Sequence, residues 1–460
     1  MAETGRSNIG EAQTRDPLFI ARLIGAAGDR DGPLLRRLLL PLAAADIAEA
    51  LEQLPGESLR SVARLIGQDL PSDLLAFLSW DRREEVLTYL PSAFVAKALG
   101  EMDTDDAAAV AADIPEAQLD AVLAAADADT RIAVQEALSF DEETVGRLMQ
   151  REFVAAPDFW TVGQAIDKIR AESDELPDVF FEIYVVDVRM RPVGAVPVSR
   201  FLRAARDRPL ASIMTAPQVL VRPEMDQEEV AVLFQKYHLA SAPVVDDAGR
   251  LTGMVTVDDI VDVIQEEGQE DLLKLSGVSE ASPTTATVSR SVATRAPWIA
   301  VNLGTALISS SVISAFAHSI EELVALAVLM PVVASLGGNA GTQALAVAVR
   351  ALASRELTGA NAARMVVREG LTGLANGAIF ASGLAVIALI WFHSGGLATA
   401  VGLAVLINFM CAGLAGILVP LALSRFGADP AVSSSVFVTF ITDLVGFLSF
   451  LGLATLILLT

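Results

Sequence analysis

The stretch FVTFITDLVGFLSFLGLA (Phe437–Ala454) carries one charge, Asp443, among apolar and small residues numerous enough to cross a bilayer. A carboxylate at mid-bilayer costs about 2.5–3.5 kcal/mol on insertion scales, so an intramembrane acid marks a pathway by default. The plainer alternative is a structural hydrogen bond to a neighbouring Ser or Thr. A second polar stretch, LMPVVASLGGNAGTQALA (Leu329–Ala346), contains Pro331, which can break a helix, and Gly337 and Gly338, which permit close approach. Its Asn339, Thr342 and Gln343 add polar groups. Alone, it fits a cavity lining and close helix packing equally well. Together the two stretches offer carboxylate, amide and carbonyl oxygens, the ligands of hard cations. The single cysteine, Cys411, and three scattered histidines (His238, His318, His393) provide no thiolate or imidazole cluster. Mg²⁺ keeps several waters and takes one or two carboxylates, which suits one Asp per chain. Two chains on a two-fold axis would bring two Asp443 carboxylates to face one divalent ion.

A second concentration of acid lies in VDDIVDVIQEEGQEDLLKL (Val257–Leu275). On a helix, Asp259, Asp262 and Glu266 share one stripe, and Glu267, Glu270 and Asp271 form another. Such neighbours repel by a few tenths of a kcal/mol per pair, roughly, when exposed. A solvated face is the ordinary reading of an isolated acidic helix. Against it, Lys274 is the only Lys or Arg between Arg250 and Arg290, so a divalent cation is a candidate for the missing positive charge.

These groups must be positioned by two unlike halves. The 460 residues carry net charge −24, yet 53% are hydrophobic and the mean hydropathy is +0.50. Nearly all Asp and Glu precede Glu280, whereas residues 296–460 are almost free of charge. About 20 apolar residues cross the hydrocarbon, and five such segments are expected: Pro297–Ala317, Leu323–Leu352, Gly370–Phe392, Leu397–Leu423 and Val432–Leu459. Arg290, Arg295, Arg350, Arg355, Arg364, Arg368 and Arg425 fall at one set of span ends. The connections HSIEE (His318–Glu322) and HSGG (His393–Gly396) contain no Lys or Arg. By the positive-inside rule the acidic half is cytoplasmic and the C-terminus lies outside. The N-terminal MAETGRSNIGEAQTRD lacks the apolar core of a signal peptide. An acidic cytosolic half also argues against nucleic acid, whose phosphates need Lys and Arg.

Within that half, Pro33 to about Leu138 reads as short amphipathic helices such as DIAEALEQL, LRSVARLI and TRIAVQEAL, an all-α superhelical domain. From Ser139 the pattern becomes strand-rich and repeats once. Leu148–Ile166 aligns with Ile213–Val230, and Tyr184–Leu202 with Pro243–Val261, each copy reading strand, helix, strand, turn, strand, helix. With GMVTVDD as its best-preserved piece, the repeat resembles the tandem CBS pair, an α/β regulatory module. CBS pairs often bind adenine nucleotides, with a Thr and an Asp near the ribose. The second copy supplies Thr256 and Asp259, whereas the first has Pro197 and Arg200 there, so the resemblance leaves ATP as a candidate ligand of one half-site. The expected organisation is a multidomain membrane protein: helical domain 1–138, CBS repeats 139–207 and 208–257, acidic connecting helix 258–282, linker 283–295 and five-helix membrane domain 296–460.

That order, with GGNAGTQ, the ADPA…TDLVGF tract and VTVDDIVDVIQEEGQED, resembles the MgtE-type magnesium channels over nearly the whole chain. The resemblance implies a homodimer in a bacterial inner membrane, with one cation pore on the two-fold axis, closed by Mg²⁺ bound among the cytosolic elements. It implies Asp443 as the pore carboxylate and Asn339 as a pore-lining amide. It places Asp259, Asp262, Glu267, Glu270 and Asp271 on the sensing helix, with Glu228, Asp429 and Asp105 as further cytosolic ligands. Three positions depart from the pattern: Ala109 and His238 replace acids, and Ser435 stands at a pore-mouth position that can be Asn.

The expected function is Mg²⁺ uptake down its electrochemical gradient. A proton- or Na⁺-coupled divalent-cation transporter, regulated by adenine nucleotide at the CBS pair, is the alternative, although no second membrane carboxylate forms a relay. An intramembrane aspartyl protease would need two opposed aspartates in one chain, so no enzyme is expected.

Overall fold

The structure is a computed structural model that describes residues 14, 16–172, 176–177, 179–217, 219–278, 288–354, 356–357, 361–426, 429 and 434–459. Arg355, residues 279–287, which straddle the end of the expected connecting helix and the start of the linker, and most of the ADPA tract lie outside the described residues. The chain forms two compact units, Met1–Ile264 and Gln265–Thr460.

The first unit begins with short helices from Pro17–Gly28 to Ala128–Ala137. Their apolar residues recur every three to four positions and meet in one core that includes Leu23, Leu35, Leu39, Ile47, Leu51, Leu59 and Ile66. Asp16, Asp31 and Asp127 cap helix starts by accepting backbone N–H groups. The helix Pro17–Gly28 precedes the Pro33 start expected from sequence and buries Phe19 and Leu23.

The CBS pair follows. In the first copy β1 (Ala155–Pro157) runs parallel to β2 (Glu182–Val186), which pairs antiparallel with β3 (Pro192–Pro197). In the second, β4 (Ser241–Val245) pairs antiparallel with β5 (Leu251–Thr256). The expected opening strand of that copy is reduced to one parallel bridge, Val221–Val244. Pro223 soon follows, and the N–H it lacks helps to explain why the ladder stops there.

Elsewhere the repeat holds down to single hydrogen bonds. The ladder slips between Val185 and Val186 in one copy and between the aligned Val244 and Val245 in the other. The turns that follow are closed by Asp187 N–H donating to Arg191 O and Asp246 N–H donating to Arg250 O. Each needs a left-handed residue, Met190 at φ +61° and Gly249 at φ +76°; only the glycine adopts that conformation without steric cost. The Tyr184 hydroxyl, fully buried, donates to Ser241 Oγ at 2.8 Å and ties the two copies together.

The connecting helix Val257–Leu275 is unbroken over 19 residues. The second unit then contains five helices long and apolar enough to span a membrane: Ser291–Ala315, Ala325–Ala353, Ala362–Phe392, Gly395–Arg425 and Ser434–Leu459. Three details differ from expectation. The second span runs straight through Pro331; in a membrane, neighbouring helices can compensate the backbone group a proline leaves open. The third starts at Ala362, because a helix continues past its apolar stretch and carries Arg364 and Arg368 with it. HSIEE is mostly a short helix, Ala317–Glu322, rather than an open connection. At HSGG the chain does turn, with His393 left-handed at φ +53°.

Candidate ion-binding sites

In the first unit the structure brings Asp105 and Asp259 together. Asp105 lies in the first turn of the helix Thr104–Ala112 and is 6% exposed. Burial, then the Asp259 charge, then Asp106, hold its carboxyl well above the ordinary carboxylate range. Asp105 Oδ1 has no hydrogen-bond partner among the described residues. Asp259 is raised too, first by burial and then by Asp258, against the lowering effect of hydrogen bonds with Thr256 and Asp105. Thr256 Oγ1 donates to Asp259 Oδ2 at 2.7 Å. Asp106 is raised by burial and Asp103, although the Arg83 charge pulls the other way. Five acids thus crowd one place, and burial and neighbouring charge bias the most buried of them towards the neutral form. Neighbouring carboxylates in low dielectric force that choice between a proton and a cation.

The other candidates of the first unit do not join this group. Asp262 is exposed on the connecting helix, raised by burial and Asp258. Glu228 is exposed in the first turn of the helix Gln227–Tyr237, its own N–H donating to Asp226 Oδ1. His238 ends that helix in a left-handed conformation at φ +52°. Thr256 is 4% exposed, so the candidate ribose hydroxyl is buried and already committed to Asp259.

In the second unit the C-terminal end of the connecting helix holds Glu267, Glu270 and Asp271. Lys274 Nζ lies 2.6 Å from Glu270 Oε1 and 2.8 Å from Asp429 Oδ2. Burial works against the ammonium charge, but the bonds to Asp429 and Glu270 outweigh it and hold Lys274 above the ordinary lysine range. Asp271 is raised by burial, then by Asp429. A divalent cation is not needed to balance every acid here, because Glu270 and Asp429 already share the Lys274 ammonium. Leu275 packs against Leu345 and Val349 of the second span and Val438 of the fifth.

Those two spans carry Asn339 and Asp443. They touch where Gly341 meets Val438 and Thr442: a Cβ on Gly341 would lie 2.6 Å from Val438 Cγ1. Asp443 follows Thr442 directly and is half-buried, while Asn339 is exposed on the surface of the single chain. Ser435 lies in the first turn of the same fifth-span helix.

Sequence reasoning missed Asn408. It is 1% exposed in the fourth span, and its Nδ2 donates to Val333 O at 3.1 Å. The available signal was one amide inside the apolar run VGLAVLINFMCAGLAG. Among the described residues, no three His, Cys, Asp or Glu side chains stand close enough to hold a metal as a set. The Asp105–Asp259 pair still fits an ion that keeps most of its waters.

A helical N-terminal domain, a CBS pair and, among the described residues, five apolar helices define a multidomain, multi-pass membrane protein, and its acid and amide oxygens suit a hard cation. Three family models match: "Divalent cation transporter" over residues 330–453, "MgtE intracellular N domain" over 42–143 and "CBS domain" over 210–266. The magnesium transporter MgtE of Enterococcus faecalis is 33% identical over 323 residues, 70% of this chain and 71% of that one. MgtE of Thermus thermophilus is 32% identical over 453 residues, 90% and 98% of the two chains. A solved structure of the cytosolic domain of the Mg²⁺ channel MgtE in complex with ATP is 31% identical, covering 53% of this chain and 99% of that one at a TM-score of 0.49. The chain belongs to the MgtE family of magnesium transporters, which is not a class of enzymes.

Proposed function

We propose that the protein is a Mg²⁺-selective channel, working as a homodimer and closed by Mg²⁺ bound to its own cytosolic acids. Two Asp443 carboxylates, with Asn339 near by, would hold a largely hydrated ion on the two-fold axis. Membrane potential supplies about 2.3 kcal/mol per charge per 100 mV, so uptake of a divalent cation needs no ATP. The arginine pattern supports a cytoplasmic N-terminus and an extracytoplasmic C-terminus, in a bacterial inner membrane.

The observation that carries the reading is the seat of Leu275. The last residue of the acidic helix packs on the second and fifth spans, the helices that bear Asn339 and Asp443. A change in that helix is therefore felt by the proposed pore. At low Mg²⁺ the acids near each end of the helix, Asp105 and Asp259 at its start and Glu267, Glu270 and Asp271 at its end, with Asp262 exposed between them, lack a bridging ion, and the helix withdraws. At high Mg²⁺ the ions bridge them, with Glu228 and Asp429 as further ligands. A shift from 1:99 to 99:1 takes about 5.5 kcal/mol, which several weak sites supply together.

ATP is a second ligand proposed for the CBS pair, on Thr256 and Asp259. It would have to displace the bond between them. Asp443→Ala tests the pore: the intact chain rescues growth of a Mg²⁺-uptake-deficient strain, and the variant, at equal membrane abundance, does not. Equal rescue sinks the reading. Currents through the purified protein with and without a pH gradient separate a channel from a proton-coupled carrier, because only the carrier responds to the gradient.

A further inference from the structure

Asn408 is the one polar side chain on the buried face of the fourth span, among Val401, Ala404, Val405, Ala412 and Gly416. An apolar residue there would avoid burying an amide in hydrocarbon, a cost repaid only in part when a single hydrogen bond is made. Its Nδ2 makes that one bond, to Val333 O at 3.1 Å, while Oδ1 finds no partner among the described residues. A half-satisfied amide in a packed core contradicts local stability, and such violations concentrate where function sets the choice.

The surroundings show what is held. A Cβ on Gly337 of the second span would lie 2.1 Å from Asn408 Nδ2, and one on Gly446 of the fifth span 2.7 Å from the same atom. The amide therefore occupies the gap left by two missing side chains, one on each neighbouring helix. Gly337 is two residues before Asn339, and Gly446 is three residues after Asp443, close to one helical turn. Asn408 touches the two proposed pore helices beside their ion-binding positions without itself being placed in the pore.

We infer that Asn408 is a positioning residue for ion selection, a wedge that fixes the second span against the fifth and so sets the relation between Asn339 and Asp443. The inference rests on the pore reading above. Its mechanism is steric and directional: the Val333 carbonyl fixes the amide's orientation, and the amide's width sets the helix separation at the two glycines. Small residues at such contacts let backbones approach closely, so a shift of tenths of an ångström reaches both helices.

The test uses the full-length protein in liposomes, with Mg²⁺ and Ca²⁺ as the ions and the concentration giving half-maximal flux as the readout. Asn408→Leu keeps the branched heavy-atom skeleton, removes the polar group and adds bulk at the two glycines; Gly446→Ala leaves Asn408 in place but pushes on it from the fifth span. Both are expected to raise the half-saturating Mg²⁺ concentration about fivefold to tenfold, the equivalent of one interhelical bond, and to narrow the preference for Mg²⁺ over Ca²⁺. A merely structural role would lower the yield of folded protein and leave both quantities unchanged per folded molecule; that result in Gly446→Ala overturns the inference even if Asn408→Leu does not fold. Asp443→Ala runs alongside. If it conducts normally, the pore reading has failed; if it is silent while both variants keep native selectivity, the wedge alone has failed.

Discussion

The two ends of the connecting helix treat negative charge in opposite ways. At its start Asp259 faces buried Asp105, with Asp103, Asp106 and Asp258 near by, and Asp105 keeps an oxygen without a partner among the described residues. At its end Glu270 and Asp429 share the ammonium of Lys274. A crowd of acids answers to whatever the solution offers, a proton or a divalent ion. A pair closed by a lysine answers to little. One helix thus joins a crowd of acids to an end that carries its own cation, and the second end is the one seated on the second and fifth spans.

The strongest way to break this contrast is to remove the responsive charges. Asp259→Ala with Glu267→Ala is expected to leave uptake intact and to raise the half-closing Mg²⁺ concentration by about tenfold or more, a loss of at least about 1.4 kcal/mol of coupling. Normal shut-off in flux measurements would end the sensor account.

A smaller effect comes from pH. Asp105 has a raised pKa in the folded chain, so the folded form binds more protons than the unfolded one. Stability in Mg²⁺-free buffer should then fall as pH rises from about 4 towards 8. Asp105→Asn removes the share of that slope that Asp105 contributes, leaving that of Asp259 and Asp106, and raises Tm near neutral pH, by about 2–4 °C for each kcal/mol recovered. Thermal unfolding of the detergent-solubilised chain reads both, and a parallel slope in the variant would place the effect elsewhere.

The smallest shift belongs to the self-neutralised end. Lys274→Met leaves Asp429 and Glu270 for Mg²⁺ to satisfy. It should raise the half-closing concentration about twofold to fivefold, since a partly exposed ion pair contributes about 1 kcal/mol or less. A shift as large as that of the double variant would erase the difference between the ends.

Much of this was legible in the sequence because its signals are periodic. Five apolar runs, helices with apolar residues every three to four positions and a repeated strand pattern all survive in the structure, the repeat down to the matching turns at Met190 and Gly249. What stayed hidden depends on contacts distant in sequence. Lys274 and Asp429 are 155 residues apart, and nothing local shows that they meet. Asn408 reads as a tolerated polar residue until Gly337 and Gly446 are seen around it. Pro331 left two outcomes open for the same reason: its local rule can break a helix, and here the helix continues through it.

The third and fourth spans are 31-residue helices, each about 46 Å long, while the hydrocarbon slab is about 30 Å thick. They join at the tight His393–Ser394 corner, so they start level there and their surplus length gathers at the opposite end, beside Arg364, Arg368 and Arg425. Lipid tail length therefore acts on that end first. Longer acyl chains would draw the guanidinium groups towards the oily layer and shorter ones would free them, so membrane thickness acts on these two helices by a route separate from the acids of the connecting helix.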